Sequence, residues 1–345
     1  MTANPSQTRA PGPGGPPAGS ENLLRILTSP WVAQAVYTVA RFDLADRLAN
    51  GPQTSDELAE ATGLDPDALY RIMRTLSSFG VFRGLGDRRF ALDEAGHLLR
   101  DGVPGTQKYS ALLFGEETFR SWGEVAHSVR TGRPAFDEIY GKTFYDYLSS
   151  HPAGSENFNR VMGGAAVVPP IAESFDFGPY KHVVDVGGGT GALLASVLSR
   201  HPQLSGTLFD LPEAIAQAER ELDGPVRARS SLVAGSFLDS APVGGDVYLL
   251  SRVLHNWADA DATAILRNVR AAMSPGGRLL IFERFLPDDD TPHMGKIFDL
   301  VMLVVLGGRE RSSHEYAALL AETGFRPVRE IEGPRNMGLL EAEAI

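Results

Sequence analysis

The sequence predicts an α/β chain in two parts, with a doubly wound sheet over 181–345 behind a mostly helical N-terminal module. Three observations carry this. From Lys181 onward, short apolar runs alternate with segments of helical period. The first of those runs, His182–Val186, ends in an acid and opens onto Gly187-Gly188-Gly189-Thr190-Gly191. Before residue 104 the order is instead helix, turn, helix and a short hairpin.

The first twenty residues hold no hydrophobic block, and Pro11 to Pro17 are nearly all proline and glycine. They read as a disordered tail, not a signal peptide. The chain is helical from Glu21. Pro30 opens "PWVAQAVYTVARFDLADRLANG", which closes at Gly51. Thr54 with Glu57 forms a capping box, Gly63 ends that helix, and Asp65 with Pro66 starts the next. "VFRGLGDRRFAL" reads as a hairpin, so 21–104 has a winged-helix arrangement. Such modules bind DNA or pair with a second copy. Between Thr54 and Leu99 eight acids face five arginines, a balance of −3 that is poor for holding phosphates. No nucleic-acid partner is expected.

The segment 105–180 is helical and aromatic-rich, and most of its rings should be core. The sheet strands follow as "HVVDVG", "SGTLFDLP", "LVAGSF", "DVYLLS", "GRLLIFERF", "PVREIEG" and "MGLLEAEA". "FDLVMLVV" through "HEYAALLAETG" reads as one long helical segment.

The 345 residues contain no cysteine, which excludes disulfides and thiolate chemistry and fits a cytoplasmic location. A net charge of −11 repels nucleic acid and anionic membranes, and no run of eighteen apolar residues suggests a membrane span. The histidines show no metal-like spacing, so no metal is expected.

In doubly wound sheets, ligands sit at the carboxyl ends of the strands. Gly187, Gly189 and Gly191 leave the backbone bare after the first strand, and Asp210 ends the second, 19 residues past Gly191. A carboxylate there can accept both ribose hydroxyls of a nucleoside. "GGGTGA" also satisfies a dinucleotide fingerprint. Asp185 bears on the choice: a carboxylate repels a pyrophosphate but suits S-adenosylmethionine (SAM), which carries a sulfonium and an ammonium. It could equally cap the following turn.

"DVGGGTG", "LLSRVLHNWADADATAILRNVRAAMSPGGRLLIFE" and "GGRERSSHEY" together resemble the SAM-dependent O-methyltransferases of the plant caffeate and bacterial polyketide type. The resemblance runs from about Asn22 to the C-terminus. It implies a Rossmann-like methyltransferase domain, a winged-helix dimerisation domain and a homodimer. It makes His255 the general base, supported by Glu283 and Glu310. Met162, Asp185, Gly187, Gly189, Asp210, Leu211, Ser236, Phe237, Ser251 and Arg252 are the implied SAM contacts. Ser236 stands where the family often has an aspartate on the adenine amine, and a hydroxyl accepts that bond more weakly. Phe114, Trp122, Tyr140, Phe158, Met162, Asn256, Asp299 and Met302 are the expected walls of the acceptor pocket, which suits a planar phenol of polyketide type. Three alternatives remain: non-methylating SAM chemistry on the same scaffold, a SAM-responsive regulator, and a dinucleotide oxidoreductase.

Overall fold

A computed structural model describes residues 19–163, 174–333 and 336–345, and the proposed tail lies almost wholly outside them. Two compact units divide between Glu117 and Thr118.

The first unit begins with the helix Ser20–Arg41, which starts ten residues before the proline that the sequence suggested as its opening. Pro30 lies inside it. A proline lacks the N–H that would bond the carbonyl four residues back. The Ser29 hydroxyl instead donates to the Ile26 carbonyl at 2.8 Å. The Thr54 capping box opens the helix Ser55–Thr62, and Asp65 caps Pro66–Ser77 by accepting the Ala68 N–H. Three short strands, β1 (Gln53–Thr54), β2 (Phe82–Gly84) and β3 (Arg89–Leu92), pair in the order β1-β3-β2 and form the wing. Leu58, Leu69, Met73, Leu76, Phe82 and Phe90 close its core.

The second unit is a seven-stranded sheet. Its strands are β4 (His182–Val186), β5 (Ser205–Asp210), β6 (Ser230–Ala234), β7 (Val247–Ser251), β8 (Arg278–Glu283), β9 (Phe325–Glu332) and β10 (Gly338–Ala344). The order is β6-β5-β4-β7-β8-β10-β9, parallel except for β10, which runs antiparallel to both its neighbours. The apolar runs are continuous because both faces are covered. Val184, Tyr248, Leu250 and Ile281 point to the helices Asp259–Ala272 and Ser313–Glu322. Val183, Leu249, Leu280 and Phe282 point to Ala192–Arg200 and Pro212–Glu221. Parallel pairing places the carboxyl ends of β4, β5, β7 and β8 side by side at one edge.

The long helical segment expected before β9 is two helices. Met294–Val301 runs into a π-helical turn, Met302–Leu306, and stops at Gly307 with φ +78°. Residues 308–312 are irregular before Ser312 caps Ser313–Glu322. Among the described residues no helix is long and apolar enough to cross a membrane.

Candidate active site

Each strand end at that edge delivers one functional group. After β4 the chain turns through Gly187, Gly189 and Gly191, at φ +71°, +60° and +83°. A Cβ on Gly187 would lie 2.8 Å from Val253 Cγ2 and 3.2 Å from Phe237 Cε1, so the turn closes only without a side chain. Asp210, ending β5, accepts the Gly189 N–H and the Leu211 N–H, both at 2.7 Å. Burial raises its pKa. Asp185 is fully buried, and its oxygens lack a partner of good geometry, the Leu194 N–H giving only a weak contact. Burial, then the charge of Asp210, pushes its pKa to about 7.

After Ser251 ends β7, Arg252 takes a left-handed turn at φ +55° while its N–H stays bonded to the Phe282 carbonyl at 2.9 Å. Its guanidinium donates to Met162 Sδ at 3.4 Å and to the Met162 carbonyl at 3.0 Å. Burial lowers its pKa to about 10. Ser236 Oγ accepts the Leu238 N–H at 3.2 Å, and Phe237 meets Trp257 edge-on at 5.7 Å. Asn268 pins this loop through the Phe237 and Leu238 carbonyls. Two carboxylates, a thioether and a side-chain-free turn form a donor set that fits a cationic nucleoside such as SAM.

His255 lies in the short turn Leu254–Asn256 and is 8% exposed. Its Nδ1 is 3.0 Å from Glu310 Oε1 and 3.7 Å from Glu283 Oε2. A carboxylate only accepts, so Nδ1 carries the proton and Nε2 is left with the lone pair. The His255 N–H also donates to Glu283 Oε1 at 3.4 Å. Burial lowers the His255 pKa, but the charge of Glu283 and the bond and charge of Glu310 outweigh it, and the net shift is upward. Glu283 is raised by its own burial. The three groups lie within 4.8 Å of one another, near enough to hold a cation, which the sequence reading did not foresee.

Two residues that sequence reasoning passed over build this cluster. Arg311, 1% exposed, donates to the Leu254 and Trp257 carbonyls at 3.1 and 2.8 Å and pairs with Asp259 at 2.7 Å. It clamps the chain on both sides of His255. Gly308 packs so closely on the turn that a Cβ there would lie 2.1 Å from the His255 carbonyl oxygen. Both belong to the quoted "GGRERSS", but nothing in that string shows what they touch. Tyr145 was also missed: the residue is 42% exposed, and crowding about its hydroxyl, then the charge of Asp210, raises its pKa to about 12.

Most of the expected acceptor residues also have partners within the protein. Asp299 Oδ1 accepts the Glu310 N–H at 2.9 Å, and the Asn256 amide donates to the Arg252 carbonyl at 3.2 Å. Each therefore helps fix the backbone around the His255–Glu310 pair. Met302 is buried in the π turn. Tyr140 packs on Phe136 and Tyr147 at 4.4 and 4.9 Å, and Phe158 on Phe144 and Tyr145 at 5.6 and 6.0 Å. Trp122 is half-buried. Phe114 belongs to the first unit and is 41% exposed.

Asp185 supports a prediction of its own. A carboxyl raised from 3.8 to about 7 costs the fold stability progressively as pH climbs between those values. Asp185→Asn should therefore stabilise the ligand-free protein at pH 8 by about 1–3 kcal/mol, each pKa unit being worth about 1.4 kcal/mol and the buried amide returning part of it. The gain should fade by pH 4, and SAM affinity should fall. Thermal melts at both pH values check this, and a variant destabilised more at pH 8 than at pH 4 contradicts it.

Residues 122–326 match the family model of an O-methyltransferase domain, and residues 18–101 match an O-methyltransferase dimerisation domain. A phenazine O-methyltransferase, PhzM, of Lysobacter antibioticus is 38% identical over 94% of this chain and 96% of its own. The O-demethylpuromycin-O-methyltransferase of Streptomyces alboniger is 41% identical over 93% of this chain and 89% of its own. The O-methyltransferase NcsB1 of neocarzinostatin biosynthesis, solved with SAM and 2-hydroxy-5-methyl naphthoic acid, superposes with a TM-score of 0.83. It is 35% identical, covering 93% of this chain and 98% of that one. With a side-chain-free turn and two acids at the cofactor edge, and with both family domains matched in order, the chain belongs to the SAM-dependent O-methyltransferases that carry an N-terminal dimerisation domain.

Proposed function

We propose that the enzyme methylates a phenolic hydroxyl of a polycyclic aromatic natural product of polyketide type, with His255 as general base. The observation that carries this is the buried Nδ1–Glu310 bond of 3.0 Å beside Glu283. When bound, SAM supplies a methyl group on a sulfonium that departs as a neutral thioether. Gly187, Gly189, Asp210 and the Phe237 loop would hold it, with Asp185 and Met162 near its positive charge. The protein must still align the acceptor oxygen and take its proton. A phenol has a pKa of about 10 and is scarcely ionised at pH 7. His255 Nε2 accepts that proton during attack, and the positive charge that results is balanced by Glu283 and Glu310. The relatives point the same way, since one is a phenazine O-methyltransferase and NcsB1 is solved with a naphthoic acid, both flat and aromatic. Transfer of labelled methyl from SAM to a panel of phenols is the test. Turnover should favour polycyclic acceptors such as 1,4-dihydroxy-2-naphthoate, and turnover confined to simple catechols rejects the polycyclic assignment.

The proposal extends to a homodimer. On the helix Ser20–Arg41, Leu23, Leu27 and Trp31 recur every four residues on one face. All three are exposed, Trp31 by 73%. Val32 and Val36 on the same helix pack instead against the unit's own core. Leu27→Glu with Trp31→Glu should convert a dimer to a monomer in light scattering at micromolar concentration, and a variant that stays dimeric refutes this face.

A further inference from the structure

Behind His255 the cluster contains a fourth group. Tyr316, from Ser313–Glu322, is fully buried, with its ring edge-on to Phe285 at 5.6 Å and the Arg311 guanidinium 5.7 Å from its centroid. Among the described residues its hydroxyl has no hydrogen-bond partner of good geometry, and neither do Glu283 Oε2 and Glu310 Oε2. The Arg311 guanidinium gives the hydroxyl only a weak contact, in which the oxygen accepts and its proton stays free. A buried hydroxyl left unpaired is costly, and a phenylalanine would fill the same apolar space without that cost. The two carboxylate oxygens can only accept. The other donors of the cluster are committed. His255 Nδ1 is on Glu310, and the Arg311 N–H groups are on Leu254, Trp257 and Asp259. The charged groups facing Tyr316 are Glu283, Arg311 and Glu310, with Glu283 the strongest. Those facing Glu283 are His255, Glu310 and Arg252.

We propose that Tyr316 is a positioning residue for the base: its hydroxyl is the donor for the open oxygen of Glu283 and holds that carboxylate against the imidazole. The proposal rests on His255 being the base. Its consequence for proton affinity has a definite sign. A hydrogen bond donated to an ionised carboxylate favours the ionised form. Without the hydroxyl, Glu283 keeps a proton to higher pH. His255 then loses part of its negative surroundings and becomes a weaker base.

Tyr316→Phe keeps the ring and removes only the donor. In the complex with S-adenosylhomocysteine, ¹⁵N-histidine NMR should show the His255 midpoint falling by about half a pH unit or more. With 1,4-dihydroxy-2-naphthoate as probe acceptor, kcat at pH 7 should fall roughly 3–10-fold as the base weakens, the acid limb of its pH profile moving to lower pH with the His255 midpoint, and KM for SAM unchanged. On a Glu283→Gln background the same substitution should leave the His255 midpoint in place. An unmoved midpoint in Tyr316→Phe that still binds S-adenosylhomocysteine overturns the proposal, as does a shift that persists undiminished in Glu283→Gln. A readout that does not depend on folding of the tyrosine variant is the Tyr316 hydroxyl proton of the parent, which should shift when Glu283 becomes Gln; an unshifted resonance overturns the proposal. His255→Ala run alongside separates the two levels. If it turns over like the parent, the base assignment itself fails. If it is inactive while Tyr316→Phe behaves like the parent, only the role of Tyr316 fails.

Discussion

His255→Ala is expected to lower kcat by roughly 10²–10⁴, the range of a lost general base. SAM affinity should stay within about twofold, because Gly187, Gly189, Asp210 and the Phe237 loop, which would hold most of SAM, lie at or just past the ends of β4, β5 and β6. Alanine offers no lone pair for the phenol proton, and Glu283 and Glu310 are then two buried acids without the imidazole between them. The pH dependence should change with the rate. In the parent, the two glutamates raise the His255 pKa above its ordinary value of 6.5 despite burial. Below that raised midpoint the imidazole already carries its proton and cannot take another, so kcat falls as pH falls. The variant should lose this limb and instead gain rate toward about pH 10, as the phenol ionises unaided. The same raised midpoint has a sign for stability. Protonated His255 stabilises the fold fully below 6.5, and the contribution is lost as pH rises through the folded midpoint. Rates from pH 5 to 10, with SAM affinity by calorimetry, check these statements.

Gly308→Ala should be nearly as damaging, although the glycine carries no chemistry. An added Cβ would lie 2.1 Å from the His255 carbonyl oxygen and 2.4 Å from the Asn256 carbonyl carbon. Both are backbone atoms and cannot swing aside. The same His255 carbonyl accepts the Arg309 N–H at 2.8 Å, so the strand of chain bearing Glu310 must separate from the turn bearing His255. A displacement of about 1 Å at a reacting group can cost 10²-fold in rate, and overpacking typically costs about 1–3 kcal/mol. We expect kcat to drop about a hundredfold with a lowered Tm. Gly123→Ala is the control. Nothing lies within 4 Å of its Cβ position, and it should change stability by less than about 0.5 kcal/mol. A Gly308→Ala enzyme with parental kcat contradicts the close approach.

The parts of this molecule that could be read from sequence are those in which a residue's type and its neighbours in the chain determine its environment. The central parallel strands β4, β5, β7 and β8 announce themselves as apolar runs because both faces are covered. The glycine turn and Asp210 are legible because bare backbone and an acid at a strand end leave little choice of ligand. Contacts between distant segments were not legible. The segment 294–322 has unbroken helical character apart from Gly307 and Gly308, and the break exists because the chain must press against the His255 turn there. Pro30 looked like a helix start because proline usually is one, and only the Ser29 hydroxyl on the Ile26 carbonyl explains its interior position. Asn256 and Asp299 looked like acceptor contacts because they are polar and close in sequence to the site. Folding also engages the Asn256 amide with the Arg252 carbonyl and one Asp299 oxygen with the Glu310 N–H, contacts that residue type alone does not reveal. The aromatic segment shows the same limit: ring spacing along a helix does not say whether Tyr140 faces a ligand or Phe136.

The central claim is that the His255–Glu283–Glu310 cluster removes the acceptor proton during transfer. A series of phenols of falling pKa, methylated in parallel by the parent and by His255→Ala, tests it most directly. The account predicts that the parent's kcat depends weakly on phenol pKa, while the variant recovers steadily as the acceptor becomes acidic enough to ionise without help. Two parallel lines, separated by the same factor for every phenol, would contradict it.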